Sequence, residues 1–460
     1  MTLRSIVVAG TLALLLRGVS AAPADQSALP YLVNAGEQTL RFDWPAIRIG
    51  TGEYPDGPTG VTVFHFPKRA YGAVDVRGGG PGTVNTDYLR LGYDAPEVDA
   101  VVFSGGSWYG LESITAVGTA LKDDGIRTDR WDNVALSVGA IIYDLGDRRL
   151  NQIYPDKRLA QAAFRAARAS EFPLGAHGAG RYAMTGGIYG CNAHSGQGGA
   201  FRQIGDLKIA AFTVVNALGV ITTRDGRVAA CYRDKDWPAD LKTADLAAAF
   251  PASGRPGSTL GSSATAPRRN TTISLVVTNQ RLAPAELQRL ATHVHSSMSR
   301  AIQPFATEFD GDVLYAVSTG EKPEDSSAVP TVQLDMLAAE VMWDAVLASV
   351  PPQPAIPAAT TARTPGTRDL ADRSGEYRFS PEVSVRISAE GGRLYAQGIG
   401  RRAYAIPLES RVRLEPLTAA SFTVPGRYPT VLDFTNPGRL VINPGPWSQI
   451  GTLSSPGTAP

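Results

Sequence analysis

The sequence predicts an α/β protein followed by a small all-β unit, and three observations carry that reading. Glycine and proline are abundant, at 48 and 33 residues, which suits many tight turns between strands and helices better than a helical bundle. Between residues 57 and 347, apolar runs of strand length alternate with stretches whose apolar residues recur at helical spacing. After a segment of linker composition, only short alternating stretches remain. The 460 residues also exceed what one hydrophobic core usually organises, so two domains are expected, 22–350 and 369–460, joined by a linker at 351–368.

Taken in order, the chain opens with Arg4, an apolar run from Ile6 to Leu16 and the small residues Val19-Ser20-Ala21. This is the pattern of a secretory signal, residues 1–21, and it predicts a secreted or periplasmic product starting near Ala22. The run is shorter than the roughly 20 residues a membrane span needs, and no later stretch is long and uninterrupted enough to be one. Val61 to Phe66 and Ala73 to Val76 read as two strands joined by a turn, followed by the glycine-rich stretch Gly78-Gly79-Gly80-Pro81-Gly82. That stretch has neither the spacing nor the lysine of a phosphate loop, so a tight turn is the better reading.

Val98 to Phe103 is a buried strand that turns at Gly105-Gly106 into a helix reaching about Asp123. Ser107 lacks the second glycine of a nucleophile elbow, because Tyr109 stands there. A strand from Val134 to Tyr143 ends on a phenol that is either an oxyanion donor or a structural tyrosine. Leu159 to Ala169 reads as a helix and Ile209 to Val215 as a strand ending at Asn216. Asn216 either donates to an oxyanion or caps a turn, and the local sequence favours the turn.

The stretch with the most chemistry is Asn270-Thr271. Upstream, 251–270 offers almost nothing apolar to offset the entropy of ordering it, so an exposed and mobile loop is expected. Downstream, Ile273, Leu275 and Val277 alternate with Thr272, Ser274 and Thr278, the signature of a strand. Cutting the chain between Asn270 and Thr271 would give Thr271 a free α-amine beside its own hydroxyl. An amine with a pKa of about 7.7 to 8.0 is a competent base for a hydroxyl that is otherwise a poor nucleophile. Taken alone, Asn-Thr is more often an ordinary loop-to-strand junction.

Pro284 to Gln303 carries the apolar stripe Leu287, Leu290, Ala291, Val294, Met298, Ala301 and Ile302, with Pro284 in the first turn of a helix. Asp310-Gly311-Asp312 follows, either orienting groups at Thr271 or forming a solvated turn, since the other ligands of a calcium loop are missing. A strand from Val313 to Ser318 and a helix from Leu334 to Leu347 complete this part, and the short strands from Asp369 onward form an antiparallel sheet or barrel.

Charge and cysteine usage narrow the function. With 44 basic and 43 acidic residues the formal charge is +1, which gives no electrostatic case for nucleic acid and favours a small-molecule or peptide partner. The five histidines and two cysteines show no ligand spacing, so no metal and no cofactor is expected. Cys191 and Cys231 could form one disulfide or remain free thiols.

Several of these segments together, Ala73-Val74-Asp75-Val76-Arg77-Gly78-Gly79, Val102-Phe103-Ser104-Gly105-Gly106-Ser107, Val215-Asn216-Ala217, Asn270-Thr271-Thr272-Ile273 and Asp310-Gly311-Asp312, resemble peptidase family S58. That is the DmpA-type family of L-aminopeptidase/D-esterases and β-aminopeptidases. The resemblance implies an αββα sandwich of the DmpA/ornithine-acetyltransferase type that splits itself into two chains and assembles as a homo-oligomer. It implies Thr271 as nucleophile, Tyr143 and Asn216 as oxyanion donors, and Asp310 and Asp312 as acids bonded to the new amine. Asp310 stands where some relatives have serine. The part from Asp369 onward lies outside the family core and resembles the small β domain appended to some penicillin-binding-protein-like hydrolases. The implied activity is hydrolysis of short peptides, amino acid amides or esters. An acyltransferase of ornithine-acetyltransferase type and an uncut binding protein are the alternatives.

Overall fold

The computed structural model describes residues 26–90, 96–146, 148–232, 240–249, 270–322, 328–357, 366–401 and 406–454. The expected signal segment, nearly all of the expected loop at 251–270 and part of the expected linker lie outside the described residues.

The main-sheet elements are β1 (Arg48–Tyr54), β2 (Thr59–Val76), β3 (Glu97–Ser104), α1 (Leu111–Asp123), β4 (Ser137–Ile141), α2 (Lys157–Arg165), β5 (Gln197–Ile204), β6 (Leu207–Asn216), β7 (Thr271–Gln280), α3 (Pro284–Ser297), β8 (Val313–Lys322) and α4 (Thr331–Ala348). The strands run in the order β5-β6-β7-β8-β2-β3-β4, with β1 also paired to β2, in an 11-stranded sheet completed by short strands. β7 and β8 are parallel, as are β3 and β4, and each of these pairs has a helix in its connection.

Where two strands and a turn were expected, β2 is one strand of 18 residues. Its first half pairs with β1 and its second half with β8, while its register against β3 shifts between His65 and Ala70. Pro67 cannot donate to a ladder, and it sits inside that shift with Lys68, both exposed. The strand thus changes partners there without ending.

The change of partners makes two sheet layers, and side-chain alternation shows what lies between and outside them. Phe64, Phe103 and Val138 from one layer meet Phe212, Leu275 and Tyr315 from the other in a single cluster, with the Phe64 and Phe212 rings 4.9 Å apart. The opposite face of β2 and β3 presents Val61, Val63 and Val102 to Ile114 and Val117 of α1 and Leu159 and Ala163 of α2. The opposite face of β6, β7 and β8 presents Ala211, Val276 and Leu314 to α3 and α4. The stripe expected on α3 and just beyond it is buried there in full, each leucine contributing about 1.5 to 3 kcal/mol by leaving water. The order helix, sheet, sheet, helix is the αββα sandwich that the family resemblance implies.

Helix ends differ from expectation by a few residues for local reasons. Asp156 Oδ1 accepts from Leu159 N at 2.9 Å and so starts α2 earlier than expected. The expected end of α2, Arg168–Ala169, is instead a short strand against β1. Glu286 Oε2 accepts from Ala283 N at 3.0 Å and fixes the start of α3 ahead of Pro284.

Beyond residue 366 the chain folds into a nine-stranded antiparallel sheet around Val385, Ile387, Leu394, Phe422, Leu432 and Leu440. Val412–Arg413 pairs at one edge of that sheet and Glu415–Pro416 at the other, with only Leu414 between them. The edges are therefore drawn together into a nearly closed barrel, which protects both from stray pairing. Gln449 Oε1 from this sheet accepts from Leu150 N at 3.0 Å and Asn151 Nδ2 at 3.1 Å, and Trp447 stacks on His194 with ring centroids 3.9 Å apart. Cys191 and Cys231 are joined in a disulfide, which their spacing left open.

Candidate active site

β7 begins at Thr271, as the alternation downstream predicts, and all ten of its residues are buried. Antiparallel pairing sets Asn216, the last residue of β6, directly opposite Thr271. On the other side the loop entering β8 carries Asp310, Gly311 and Asp312, and Asn270 forms a parallel bridge with Asp310. Two strand ends and one loop thereby converge on the Asn270-Thr271 bond.

The carbonyl of Asn270 is held from two sides. Thr271 Oγ1 donates to it at 2.5 Å and Gly311 N donates to it at 2.8 Å, while Asn270 N donates to Phe309 O at 3.0 Å. Thr271 is 2 % exposed, so in the unbroken chain the site is closed to solvent. Gly311 was read from the sequence only as the residue between two acids, yet its N–H is aimed at the oxygen where charge would develop during attack on this carbonyl. An ideal Cβ at position 311 would lie 2.9 Å from Thr271 Oγ1 and 2.7 Å from Gly80 O, which explains the glycine.

The two acids are held mostly by main-chain donors. Asp310 accepts from Leu218 N at 3.2 Å, and from Thr307 N at 3.1 Å and Thr307 Oγ1 at 2.6 Å. Asp312 accepts from Thr272 N at 2.5 Å and from Ala306 N at 3.0 Å, holding Ala306 in the left-handed region at φ 54°. Burial pushes both carboxyl groups upward, and Asp312 goes well above the usual carboxylate range because Asp310 is its neighbour as well.

A stability trend follows from that shift. A carboxyl whose folded pKa is raised contributes stability that is fully present below its ordinary value of about 3.9 and is lost as pH rises through the folded value. Asp312→Asn removes the titration, so in an uncut Thr271→Ala background its unfolding midpoint should gain on the Asp312 parent as pH rises from about 4 to 8. A difference that stays flat across a urea titration series at several pH values would show that Asp312 carries no buried charge.

The glycine-rich stretch expected to be a tight turn lies against this acid loop. Gly80 N donates to Asp310 O at 2.9 Å, Arg77 N and Gly78 N donate to Asp312 O at 3.1 and 3.2 Å, and Gly79 N donates to Thr307 O at 3.3 Å. A Cβ at Gly78 would sit 2.1 Å from Asp312 N, a backbone atom with nowhere to go. Gly78→Ala should therefore destabilise the fold by about 3 kcal/mol or more and displace Asp312, an outcome read by thermal unfolding and by loss of activity.

Asn216 is not capping a turn. Its Nδ2 donates to Tyr143 O at 3.1 Å, its Oδ1 accepts from Met184 N at 3.1 Å, and the same oxygen accepts from Arg148 Nη1. Tyr143 thus reaches the site through its main-chain carbonyl. The segment after Tyr143 is fixed from beneath by Ser107, whose hydroxyl accepts from Asp144 N at 3.2 Å and Leu145 N at 3.1 Å, while Gly106 N donates to Asp144 Oδ1 at 2.8 Å. The strand, glycine turn and helix dismissed as a nucleophile elbow therefore position the oxyanion candidates.

Arg148 was missed by sequence reasoning. Its guanidinium donates through Nη1 to Asn216 Oδ1 and through Nη2 to Asn270 Oδ1, linking side chains 68 and 122 positions away. Its charge also favours the ionised form of Asp310. A pair of arginines in a loop gave no local signal of such a role. Among the histidines, His295 Nδ1 pairs with Asp75 Oδ2 at 2.8 Å and its ring packs edge-on against Phe305, next to the acid loop.

A four-layer sandwich thus presents a hydroxyl residue, Thr271, at the first position of a central strand. The chain belongs to peptidase family S58, whose model matches residues 42–364. Over 324 residues it is 40% identical to the 6-aminohexanoate-oligomer endohydrolase of Paenarthrobacter ureafaciens, covering 68% of this chain and 86% of that protein. Over 309 residues it is 33% identical to an uncharacterized aminopeptidase of Mycobacterium tuberculosis, covering 63% of this chain and 85% of the other. The solved L-aminopeptidase D-Ala-esterase/amidase of Ochrobactrum anthropi superposes with a TM-score of 0.47 at 18% identity, covering 70% of this chain and 87% of that one. This chain is a hydrolase, as the family assignment and these relatives establish.

Proposed function

We propose that the protein cuts its own chain between Asn270 and Thr271 and then hydrolyses amide bonds of short peptides, amino acid amides or linear amide oligomers through an acyl-enzyme on Thr271. The observation that carries this reading is the Asn270 carbonyl, pinned between Thr271 Oγ1 at 2.5 Å and Gly311 N at 2.8 Å. In the first step the Thr271 Oγ–C bond forms, the C–N bond of the Asn270-Thr271 peptide breaks, and the hydroxyl proton ends on the new amine. Water then cleaves the ester, leaving a carboxylate on Asn270 and a free hydroxyl on Thr271.

The same hydroxyl next attacks substrate, its own amine accepting and returning the proton. In this reading Asp310, whose backbone bridges Asn270, and Asp312, which accepts from Thr272 N, are the acids that hold that amine against Thr271. Asn216 has a second amide hydrogen besides the one given to Tyr143 O, and with the Tyr143 phenol it is the proposed donor set for the substrate oxyanion. The Cys191–Cys231 disulfide suits an oxidising compartment and so supports the secreted or periplasmic location proposed from the N-terminal residues. Assembly of the cut chains into a homo-oligomer is part of the same proposal.

A denaturing gel with N-terminal sequencing tests the first step. Two fragments, the smaller beginning at Thr271, are expected, and a single intact chain in an active preparation would overturn it.

A further inference from the structure

The ester formed during self-cleavage and the ester formed on substrate are the same kind of species: an acyl group on Thr271 Oγ. During self-cleavage that acyl group is Asn270, so the contacts of the Asn270 side chain mark where the acyl part of a substrate must lie. Asn270 is buried, and its Oδ1 accepts from Arg148 Nη2. Counting from the scissile carbonyl carbon, Cα, Cβ and Cγ follow, so the oxygen that Arg148 holds sits on the third carbon beyond the reacting centre.

Arg148 is itself kept in place. Nη1 is bound to Asn216 Oδ1, and just beyond it in the chain Leu150 and Asn151 are tied to Gln449 of the nearly closed barrel. Arg149 beside it is buried and paired with Asp144 at 3.5 Å. A guanidinium fixed in this way leaves Nη2 as a charged donor to the acyl group, which suits a carbonyl or carboxylate oxygen and repels an ammonium.

We propose that Arg148 is the acyl-side specificity residue, selecting acyl groups with an oxygen acceptor on the third carbon beyond the scissile carbonyl and rejecting those with a cation there. The preferred class is the succinyl type, a 1,4-dicarbonyl unit, presented by an aspartyl, asparaginyl or succinyl group. This inference rests on Thr271 being the nucleophile.

Three anilides of equal chain length separate the possibilities: succinyl-, butyryl- and 4-aminobutyryl-p-nitroanilide, which place a carboxylate, a methyl or an ammonium at the same carbon. With the cut enzyme, kcat/KM should fall in that order, by about 10- to 100-fold from the first to the second, mostly through KM, since a charge-assisted hydrogen bond is lost. In Arg148→Gln, checked on a gel for two chains, the order should flatten, and in Arg148→Lys the preference for the carboxylate over the ammonium should survive.

If Arg148→Gln stays uncut, the order in the native enzyme and in Arg148→Lys decides. A preference for 4-aminobutyryl, equal rates on all three, no hydrolysis of any of them by a chain that has cut itself, or an order unchanged in Arg148→Gln overturns the inference while leaving Thr271 in its role. Failure of Thr271 is seen separately, as an active chain that never cuts.

Discussion

Thr271→Ala should remain one chain and lose hydrolysis altogether. Without Oγ no bond to the Asn270 carbonyl can form, so neither the cut nor an acyl-enzyme is available. Loss of a covalent nucleophile lowers turnover by on the order of 10⁶ in acyl-transfer enzymes. The fold should survive, because among the described residues Thr271 Oγ1 donates to the neighbouring Asn270 O alone and β7 is held by its ladder partners. The expected change in stability is about 1 kcal/mol or less. Intact-mass measurement and far-ultraviolet circular dichroism read both halves of the result. An alanine variant that still turns over short amides at the parental rate would remove Thr271 from the mechanism.

Asn216→Asp should leave a folded protein whose turnover is slowed by about 10²- to 10³-fold, the usual effect of losing one oxyanion donor. The substitution keeps shape and keeps the acceptor used by Met184 N and Arg148. It replaces the amide that donates to Tyr143 O at 3.1 Å with an oxygen that cannot donate when ionised. Rates should therefore fall through kcat, because the second amide hydrogen, the proposed donor to the substrate oxyanion, is lost as well, and its bond strengthens only as charge builds on that oxygen. Turnover within tenfold of the parent would show that Asn216 serves only to tie β6 to the Tyr143 segment.

What could be read beforehand follows the range of the forces involved. Ile273, Leu275 and Val277 announce β7 because strand alternation is a local pattern, and the α3 stripe is legible for the same reason. The long strand β2 reads from sequence as two strands and a turn, because its continuity depends on pairing with β8, which lies far downstream. Family resemblance singled out Thr271, Asn216, Tyr143, Asp310 and Asp312; in the structure Asn216 pairs with Thr271, Asp310 bridges Asn270, Asp312 accepts from Thr272 N, and Tyr143 O bonds to Asn216. Arg148 and the N–H of Gly311 escaped because their meaning lies in partners distant in sequence. Cys191 and Cys231 pair across a separation of 40 that no spacing rule singles out.

The register of β7 between its two neighbours has an effect on how the two products of scission would behave. Eight residue pairs join β7 to β6, which lies on the N-terminal side of the cut, and β8 flanks the other edge in parallel. Both sulfurs of the disulfide belong to the N-terminal fragment, so no covalent bridge crosses from one piece to the other. The halves would stay interlocked in native buffer by non-covalent contacts alone, and would separate in detergent whether or not a reductant is added.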